Sequence, residues 1–376
     1  MKNTALYIHI PFCDHKCIYC DFYSIITSDN ISSYKTALLQ EINYYAGLYA
    51  KNRNITSIYF GGGTPSLMDP GYLNEIITHI KNKFSVQKNA EITMETNPGT
   101  VSKEKLREFR NTGINRISIG IQSFNENELK FLTRIHDKET AIRTVYDAAE
   151  SGFNNISVDL IFNLPGQTKE IWLNNLNTAL SLPVHHISAY SLILERGTIL
   201  NKMVLDGKVN LQDEDYDAEL YEVTIDLITA EGFEQYEVSN FAMPGYECIH
   251  NNAYWRYQDY ISFGTSAHSF VNGKRWWNYS SLKLYNSQIQ VKGFAEANHE
   301  FISTEESINE YTMLALRSYG LDIHELKERF GNEWLANNSE YLQLLEKNGM
   351  IIKKGNLFKL TKHGYAVCDE IIAKFR

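Results

Sequence analysis

Short apolar runs alternate with helix-like stretches over the first half of the chain. The runs are rich in Ile, Tyr, Phe or Val, as buried strands are. The predicted strands are residues 5–10, 57–62, 91–97, 116–122, 157–164 and 186–193. Helix-like stretches between them include 32–49, 71–84 and 138–152. Strands that alternate with helices predict βαβ units and a parallel sheet, which periodicity alone allows to be an open barrel or a doubly wound sheet.

The pattern changes after about residue 200. A helix is predicted over 217–233, and a segment dense in Trp and Tyr follows from 236 to 277. From residue 304 the pattern predicts three helices, a hairpin and a further helix, which is the outline of a winged-helix module. We therefore predict a barrel core over 1–200, a segment that completes it over 201–303, and a mostly helical, winged-helix-like domain over 304–376.

Composition excludes several classes of protein. The 376 residues include 43% apolar and 22% charged residues, as in ordinary globular proteins, and the net charge of −9 argues against broad attraction to nucleic acid or anionic lipid. The hairpin is locally basic, but a solvated hairpin is favoured over DNA binding; its basic residues are Lys353, Lys354, Lys359, Lys362 and His363. The N-terminal sequence lacks the apolar core of a signal peptide, so a cytoplasmic location is expected.

Three of the five cysteines lie within eight residues, directly after the first predicted strand, with the spacing Cys13-x3-Cys17-x2-Cys20. Thiolates bind zinc or hold iron–sulfur clusters. A structural zinc site needs a fourth ligand nearby; His15 lies in the loop, but no second Cys or His pair follows. Three thiolates on a [4Fe–4S] cluster leave one iron open to a substrate or cofactor, so the missing fourth cysteine favours a cluster.

With Tyr19 between its last two cysteines, this motif resembles the signature of the radical S-adenosylmethionine (SAM) family. The resemblance implies a partial (β/α)6 barrel, an α/β fold. It also implies a [4Fe–4S] cluster whose open iron is chelated by the amino and carboxylate groups of SAM. An electron from such a cluster cleaves SAM to methionine and a 5′-deoxyadenosyl radical.

The segment YFGGGTPS (59–66) follows the second predicted strand. Consecutive glycines let the backbone approach a ligand closely. A plain tight turn is the alternative interpretation. A P-loop is excluded because no Gly-Lys-Ser/Thr follows. By resemblance to the radical SAM family, Gly62, Gly63 and Thr64 would meet the SAM amino group.

Polar residues recur at or near the ends of later predicted strands, and they are Glu95, Gln122, Arg134 and Asp159. A buried carboxylate needs hydrogen-bond partners, and a recurrence strand after strand favours one shared polar ligand over separate structural roles. These positions resemble the SAM-binding residues of the anaerobic coproporphyrinogen III oxidase family. That resemblance, which covers nearly the whole chain, implies that Glu95 binds the ribose hydroxyls, that the other three complete the pocket, and that Tyr7 lies near the SAM carboxylate.

One departure divides this family. The oxidases carry a further cysteine two residues after the third cluster cysteine and an extension before the first strand; this chain has Phe22 at that position, and its motif starts at residue 13. In both features the chain resembles a sister branch, the radical SAM heme chaperones. Members of that branch bind heme and are thought to deliver it to respiratory enzymes. We therefore expect a heme chaperone. The alternative is an oxygen-independent coproporphyrinogen III oxidase, which decarboxylates propionates through the 5′-deoxyadenosyl radical.

The segment HNNAYW (250–255) resembles the His-Asn-x-x-Tyr-Trp motif of that branch. Histidine is an axial ligand of heme iron, and aromatic rings offer flat apolar faces. His250, Tyr254 and Trp255 are therefore predicted heme contacts, with plain packing as the alternative. Cys248 is expected to be an inert, buried thiol, with a second heme contact as the alternative, and Cys368 is expected to be structural.

The implied partners are unidentified heme acceptor proteins and an electron donor, and no nucleic acid is expected. A transient, membrane-associated acceptor, a homodimer and the cleavage of SAM during function all stay open, and no catalytic residue is predicted.

Overall fold

The structure is a computed structural model that describes residues 1–27 and 29–375. In this part of the chain the strands are β1 (Lys2–Ile10), β2 (Arg53–Gly62), β3 (Val86–Thr96), β4 (Arg116–Gln122), β5 (Ile156–Phe162), β6 (His186–Ser191), β7 (Glu234–Gln235), β8 (Asn240–Ala242), β9 (Tyr260–Phe263), β10 (His268–Val271), β11 (Lys274–Asn278), β12 (Glu296–Phe301), β13 (Leu321–Asp322), β14 (Ile351–Lys354) and β15 (Leu357–Leu360). The α-helices are α1 (Ile31–Tyr49), α2 (Pro70–Lys83), α3 (Lys103–Asn111), α4 (Glu126–Phe131), α5 (Lys138–Glu150), α6 (Lys169–Leu180), α7 (Ile199–Leu205), α8 (Glu214–Ala230), α9 (Ile249–Trp255), α10 (Leu282–Lys292), α11 (Thr304–Leu316), α12 (Ile323–Phe330), α13 (Glu333–Lys347), α14 (Lys362–Ala366) and α15 (Cys368–Ile372).

Twelve of these strands form one sheet, in the order β12-β11-β10-β9-β1-β2-β3-β4-β5-β6-β8-β7. The strands from β9 to β6 are parallel, and antiparallel strands extend both edges. No pairing joins β9 to β6 among the described residues, so the barrel is open, as a partial barrel is. The six predicted strands and the parallel sheet are confirmed, and β9 adds a parallel strand beside β1 that the sequence did not reveal.

Alternate side chains of the parallel strands face opposite sides of the sheet. The outward set is apolar and completely buried, and it includes Leu6, Ile8 and Ile10 of β1 and Ile117, Ile119 and Ile121 of β4. These side chains pack against the surrounding helices in one continuous apolar core. The inward positions carry mostly polar side chains, so the space enclosed by the sheet, here called the lumen, is lined by groups that can bind a polar ligand.

The segment from residue 304 has the helix, strand and hairpin order of a winged helix, with a small sheet in the order β13-β15-β14. Its basic residues are partly engaged within the chain. The Lys362 ammonium lies 2.8 Å from an Asp226 carboxylate oxygen on α8, and His363 Nδ1 lies 2.7 Å from Glu222 Oε1. Two of the five basic groups thus face an acidic helix. The predicted domain boundaries stay predictions.

None of the helices in residues 1–27 and 29–375 combines the length and the apolar character needed to cross a membrane.

Glu41 fastens the antiparallel edge of the sheet to α1. Its buried carboxylate accepts hydrogen bonds from Tyr285 Oη at 2.6 Å, Asn278 Nδ2 at 2.6 Å and the Gly264 N–H at 2.8 Å. Burial raises the pKa of Glu41 to about 7, against an ordinary value of 4.5, while the three donors act in the opposite direction. Because the folded-state pKa is raised, the contribution of Glu41 to stability is fully present below pH 4.5 and is lost as the pH rises through 7.

Tyr285→Phe is expected to reduce the free energy of unfolding by about 1–3 kcal/mol, since it removes a donor from a buried carboxylate. The hydroxyl stabilises the ionised carboxylate, so the loss should be larger at about pH 8.5 than at about pH 5.5. Urea denaturation at both pH values measures it, with Tyr146→Phe at a 46% exposed tyrosine as the control. An equal loss at the two pH values would contradict this role.

Candidate functional site

The three cysteines of the loop after β1 open onto one cavity of about 190 Å³, here called the cysteine cavity. The loop is anchored at several points. The Cys13 N–H donates to the Ile25 carbonyl at 3.0 Å, and the Ile18 N–H donates to Thr133 Oγ1 at 3.2 Å. All three thiols are partly exposed and none is in a disulfide. The loop therefore presents its thiols to the carboxyl ends of the parallel strands, where barrel sites lie.

The cysteine cavity brings together most of the residues predicted from the sequence. Besides the thiols, it is lined by the predicted residues Tyr19, Gly63, Thr64, Glu95, Gln122, Arg134 and Asp159. A second cavity of about 330 Å³, here called the inner cavity, continues into the lumen and shares Tyr19, Phe22, Glu95, Gln122 and Asp159 with the first. Tyr7 and Gly62 line neither cavity. The Tyr7 hydroxyl instead lies 3.2 Å from His9 Nδ1.

The three thiols that line the cysteine cavity can serve as the protein ligands of a [4Fe–4S] cluster with one open iron. Among residues 1–27 and 29–375, no group of three or more His, Cys, Asp or Glu side chains could hold a single ion. In a [4Fe–4S] cluster each thiolate binds a different iron, so the thiols stand further apart than around one zinc. Burial raises the pKa of Cys20 to about 11 and also raises that of Cys13, so these groups favour the thiol form when no cation is bound.

A chain of hydrogen bonds links two of the cysteines through the cavity wall. Thr64 Oγ1 lies 3.6 Å from Cys13 Sγ and accepts from Asn97 Nδ2 at 3.0 Å. Asn97 Oδ1 accepts from Arg134 Nη2 at 2.8 Å, and Arg134 Nη1 lies 3.4 Å from Cys17 Sγ. Arg134 also donates to the Gly120 carbonyl at 2.6 Å. These bonds fix a guanidinium beside Cys17, where a positive charge stabilises a thiolate.

Sequence reasoning missed Asn97. It follows Glu95 by two residues in METNPG, where a polar side chain after a strand and before Pro-Gly is a signal that could have found it.

The glycine loop is shaped by its contact with the cysteine loop. A Cβ at Gly63 would lie 2.6 Å from the Phe12 carbonyl oxygen and 3.0 Å from Cys13 Sγ, so only glycine fits. The Gly63 and Thr64 N–H groups donate to the Ile10 and Phe12 carbonyls at 2.8 Å and 2.7 Å. These two N–H groups are therefore already hydrogen-bonded within the protein. A ligand would contact the side-chain and carbonyl oxygens of this loop instead.

Glu95 on β3 and Asp159 on β5 line both cavities, and β4 lies between their strands. Glu95 Oε1 accepts from Tyr59 Oη at 2.8 Å, and Oε2 accepts from the Gly62 N–H at 3.1 Å. Burial and the Asp159 carboxylate raise the pKa of Glu95 to about 7, although both donors and Arg116 favour its charged form. Ser118 Oγ donates to Asp159 Oδ1 at 3.2 Å, and burial raises the pKa of that carboxyl.

Arg116, which sequence reasoning also missed, is a buried cation in the inner cavity. Its nearest described carboxylate oxygen, Glu91 Oε2, lies 3.9 Å from Nε. The guanidinium therefore compensates the carboxylates of the lumen through charge and not through a direct hydrogen bond.

The predicted heme motif forms α9, which packs on β1 and β2. Glu91, in the middle of β3, accepts from the Ile249 and His250 N–H groups, both at 3.1 Å. His250 is 1% exposed, and its Nδ1 and Nε2 lie 3.0 Å from Ser57 Oγ and 2.9 Å from Tyr254 Oη. Because Ser57 and Glu91 precede the cavity residues Tyr59 and Glu95 on their strands, α9 closes the lumen opposite the cysteine loop.

The structure thus does not bring His250, Tyr254 or Trp255 into the cysteine cavity. Asn251 of the same helix lines the inner cavity. Iron binding by His250 would require an existing hydrogen bond to break, so its predicted contact with heme stays a prediction.

Comparison with known proteins places the chain in a family. The model of the Radical SAM superfamily matches residues 7–179. The heme chaperone HemW of Bacillus subtilis is 36% identical over 379 aligned positions that cover 100% of this chain and 99% of its own length, and that of Haemophilus influenzae is 33% identical over 387 positions that cover 100% and 98%.

A solved structure of coproporphyrinogen III oxidase (HemN) from Escherichia coli superposes with a TM-score of 0.84 at 24% identity, covering 100% of this chain and 90% of that one, which shows a shared fold. Superfamily membership implies a [4Fe–4S] cluster and SAM, and the donor set above fits both. Because the sequence matches extend over whole chains at more than 30% identity, the protein belongs to the HemW family of radical SAM proteins.

Proposed function

We propose that this protein is a heme chaperone that binds a [4Fe–4S] cluster, SAM and heme and passes heme to acceptor proteins. The observation that carries the proposal is the convergence of three thiols and the polar ends of the parallel strands on one cavity in a chain whose relatives are named heme chaperones. Heme is proposed as the ligand because those relatives are named heme chaperones.

In this proposal each group around the cavity has a distinct task. Cys13, Cys17 and Cys20 hold the cluster, which supplies an open iron and an electron for SAM. Arg134 stabilises the Cys17 thiolate and is itself fixed by Asn97. Glu95 accepts hydrogen bonds from the ribose hydroxyls, while Tyr19, Gln122 and Asp159 form the adjoining walls.

Phe22 separates the proposal from its alternative, an oxygen-independent coproporphyrinogen III oxidase. The ring is 61% exposed at the rim of both cavities, where the oxidases carry a cysteine. An exposed aromatic ring can pack against a flat apolar ligand but cannot supply a thiol. The acceptor protein, the electron donor, a membrane-associated acceptor and a homodimer stay predictions.

Hemin titration of the purified, cluster-loaded protein tests the proposal. We expect saturable binding of one hemin per chain, followed by visible absorbance, and transfer of that hemin to an apo heme protein added in excess. The same protein, incubated anaerobically with coproporphyrinogen III, SAM and a reductant, is expected to form no divinyl product. Formation of that product would favour the oxidase, and the absence of saturable hemin binding would remove the chaperone.

Replacing any one of Cys13, Cys17 and Cys20 by Ala is expected to abolish the cluster, because each thiolate binds a different iron. Iron and sulfide analysis after anaerobic reconstitution measures this loss. Cys248→Ala and Cys368→Ala are matched controls, since both thiols are buried away from the loop and should leave the content unchanged. Full iron and sulfide content in a loop variant would refute its assignment as a ligand.

SAM affinity is expected to fall when the pH drops below about 7. The pKa of Glu95 is raised to about 7, so its carboxyl is protonated below that pH and accepts hydrogen bonds from ribose less well. Calorimetric titration of cluster-loaded protein between about pH 6 and pH 8.5 measures the change. Glu95→Gln should bind SAM about tenfold more weakly at high pH and lose the pH dependence. Unchanged pH dependence in Glu95→Gln would assign the titration to another group.

A further inference from the structure

The His250 ring is fixed in one orientation at the closed end of the lumen. Ser57 on β2 and Tyr254 on α9 hold its two nitrogens, at 3.0 Å and 2.9 Å. Burial lowers the pKa of the ring to about 3, so it is neutral at physiological pH. A neutral imidazole with both nitrogens in hydrogen bonds has no free lone pair for a metal. The flat face of the ring is still available for stacking.

That face supports Tyr59. The ring centroids of His250 and Tyr59 lie 4.8 Å apart with an interplanar angle of 27°, and Tyr7 stacks on Tyr59 at 6.1 Å and 24°. Tyr59 thereby keeps a fixed tilt on β2. Its hydroxyl donates to Glu95 Oε1 at 2.8 Å. The position of the Glu95 carboxylate thus depends on the stacked ring beneath Tyr59.

We propose that His250 is a positioning residue for the Glu95 carboxylate, acting through the stacked ring and hydroxyl of Tyr59, and that it does not bind heme iron. The inference rests on the proposed SAM pocket, in which Glu95 binds ribose. The proposal gives the HNNAYW segment a role in cofactor recognition. Helix α9 closes the lumen, and its His250 supports Tyr59, which in turn holds Glu95, the proposed ribose-binding residue.

Methionine, used as a second ligand, distinguishes a loss of Glu95 positioning from a general distortion of the site. It carries the amino and carboxylate groups that chelate the open iron in SAM, and it lacks the ribose. A displaced Glu95 therefore weakens SAM binding and spares methionine binding, whereas a distorted cysteine loop weakens both.

The experiment compares both ligands on cluster-loaded wild type, His250→Ala, His250→Phe and Tyr59→Phe, with binding followed by the EPR signal of the reduced cluster. His250→Ala and Tyr59→Phe are expected to raise the dissociation constant for SAM about tenfold, as for one lost hydrogen bond to a charged group, and that for methionine less than about twofold. His250→Phe should restore most of the SAM affinity, because it keeps an aromatic face and supplies no nitrogen.

Tyr285→Phe is the matched control. Like Tyr59, Tyr285 is buried and donates to a buried glutamate, Glu41, whose pKa is also raised to about 7, but it lies outside the lumen lining. It should lower stability without changing the ratio of the two dissociation constants. If His250→Ala does not fold, as circular dichroism would reveal, His250→Phe and Tyr59→Phe carry the comparison.

Hemin titration of the same variants completes the test. We expect His250→Ala and His250→Phe to bind hemin as the wild type does. Loss of hemin binding or an altered hemin spectrum in both variants, with unchanged SAM affinity, overturns the inference and restores the ligand hypothesis. If the wild type binds SAM and all variants match it, only the inference fails; if the wild type does not bind SAM, the SAM pocket of the proposed function fails with it.

Discussion

The alternation of side chains across the parallel sheet is the constraint on which the rest of the structure depends. Helices cover the outer face, and its Ile, Leu and Phe side chains make the core. The inner face is thereby free to be polar, and it carries Glu95, Ser118 and Asp159 without disturbing that core. A polar lumen must satisfy its own hydrogen bonds, because groups buried without partners are costly. The site is therefore a connected network instead of a set of independent side chains.

The sequence revealed the parts of this arrangement that depend on local order. A cysteine motif directly after a strand, three glycines after the next strand and polar residues at later strand ends lie near one another because parallel strands bring their carboxyl ends to one edge. Ten of the predicted residues accordingly line the cysteine cavity: the three cysteines, Tyr19, Gly63, Thr64, Glu95, Gln122, Arg134 and Asp159.

The features that the sequence did not predict depend on contacts between segments that are distant along the chain. Ser57 and His250 are separated by 193 positions, so no local pattern indicates that β2 clamps the imidazole of α9. The same holds for β9, a short strand that pairs with β1 and is followed by Gly264, whose N–H donates to Glu41 of α1. In the glycine loop the sequence predicted a close approach to a ligand, which stays a prediction; it could not show that Gly63 lies close to the cysteine loop, because that contact joins distant segments.

Glu95 is the point where the two ends of the lumen meet. From the open end, the Gly62 N–H holds Oε2, and the adjacent Gly63 packs against Cys13 Sγ. From the closed end, Tyr59 holds Oε1 and rests on His250. A shift of the carboxylate would therefore break the hydrogen bond from Tyr59 or that from the Gly62 N–H. Motifs separated by more than 200 residues along the chain therefore act on the same carboxylate, and the position of Glu95 in the proposed SAM pocket depends on both the cysteine loop and α9.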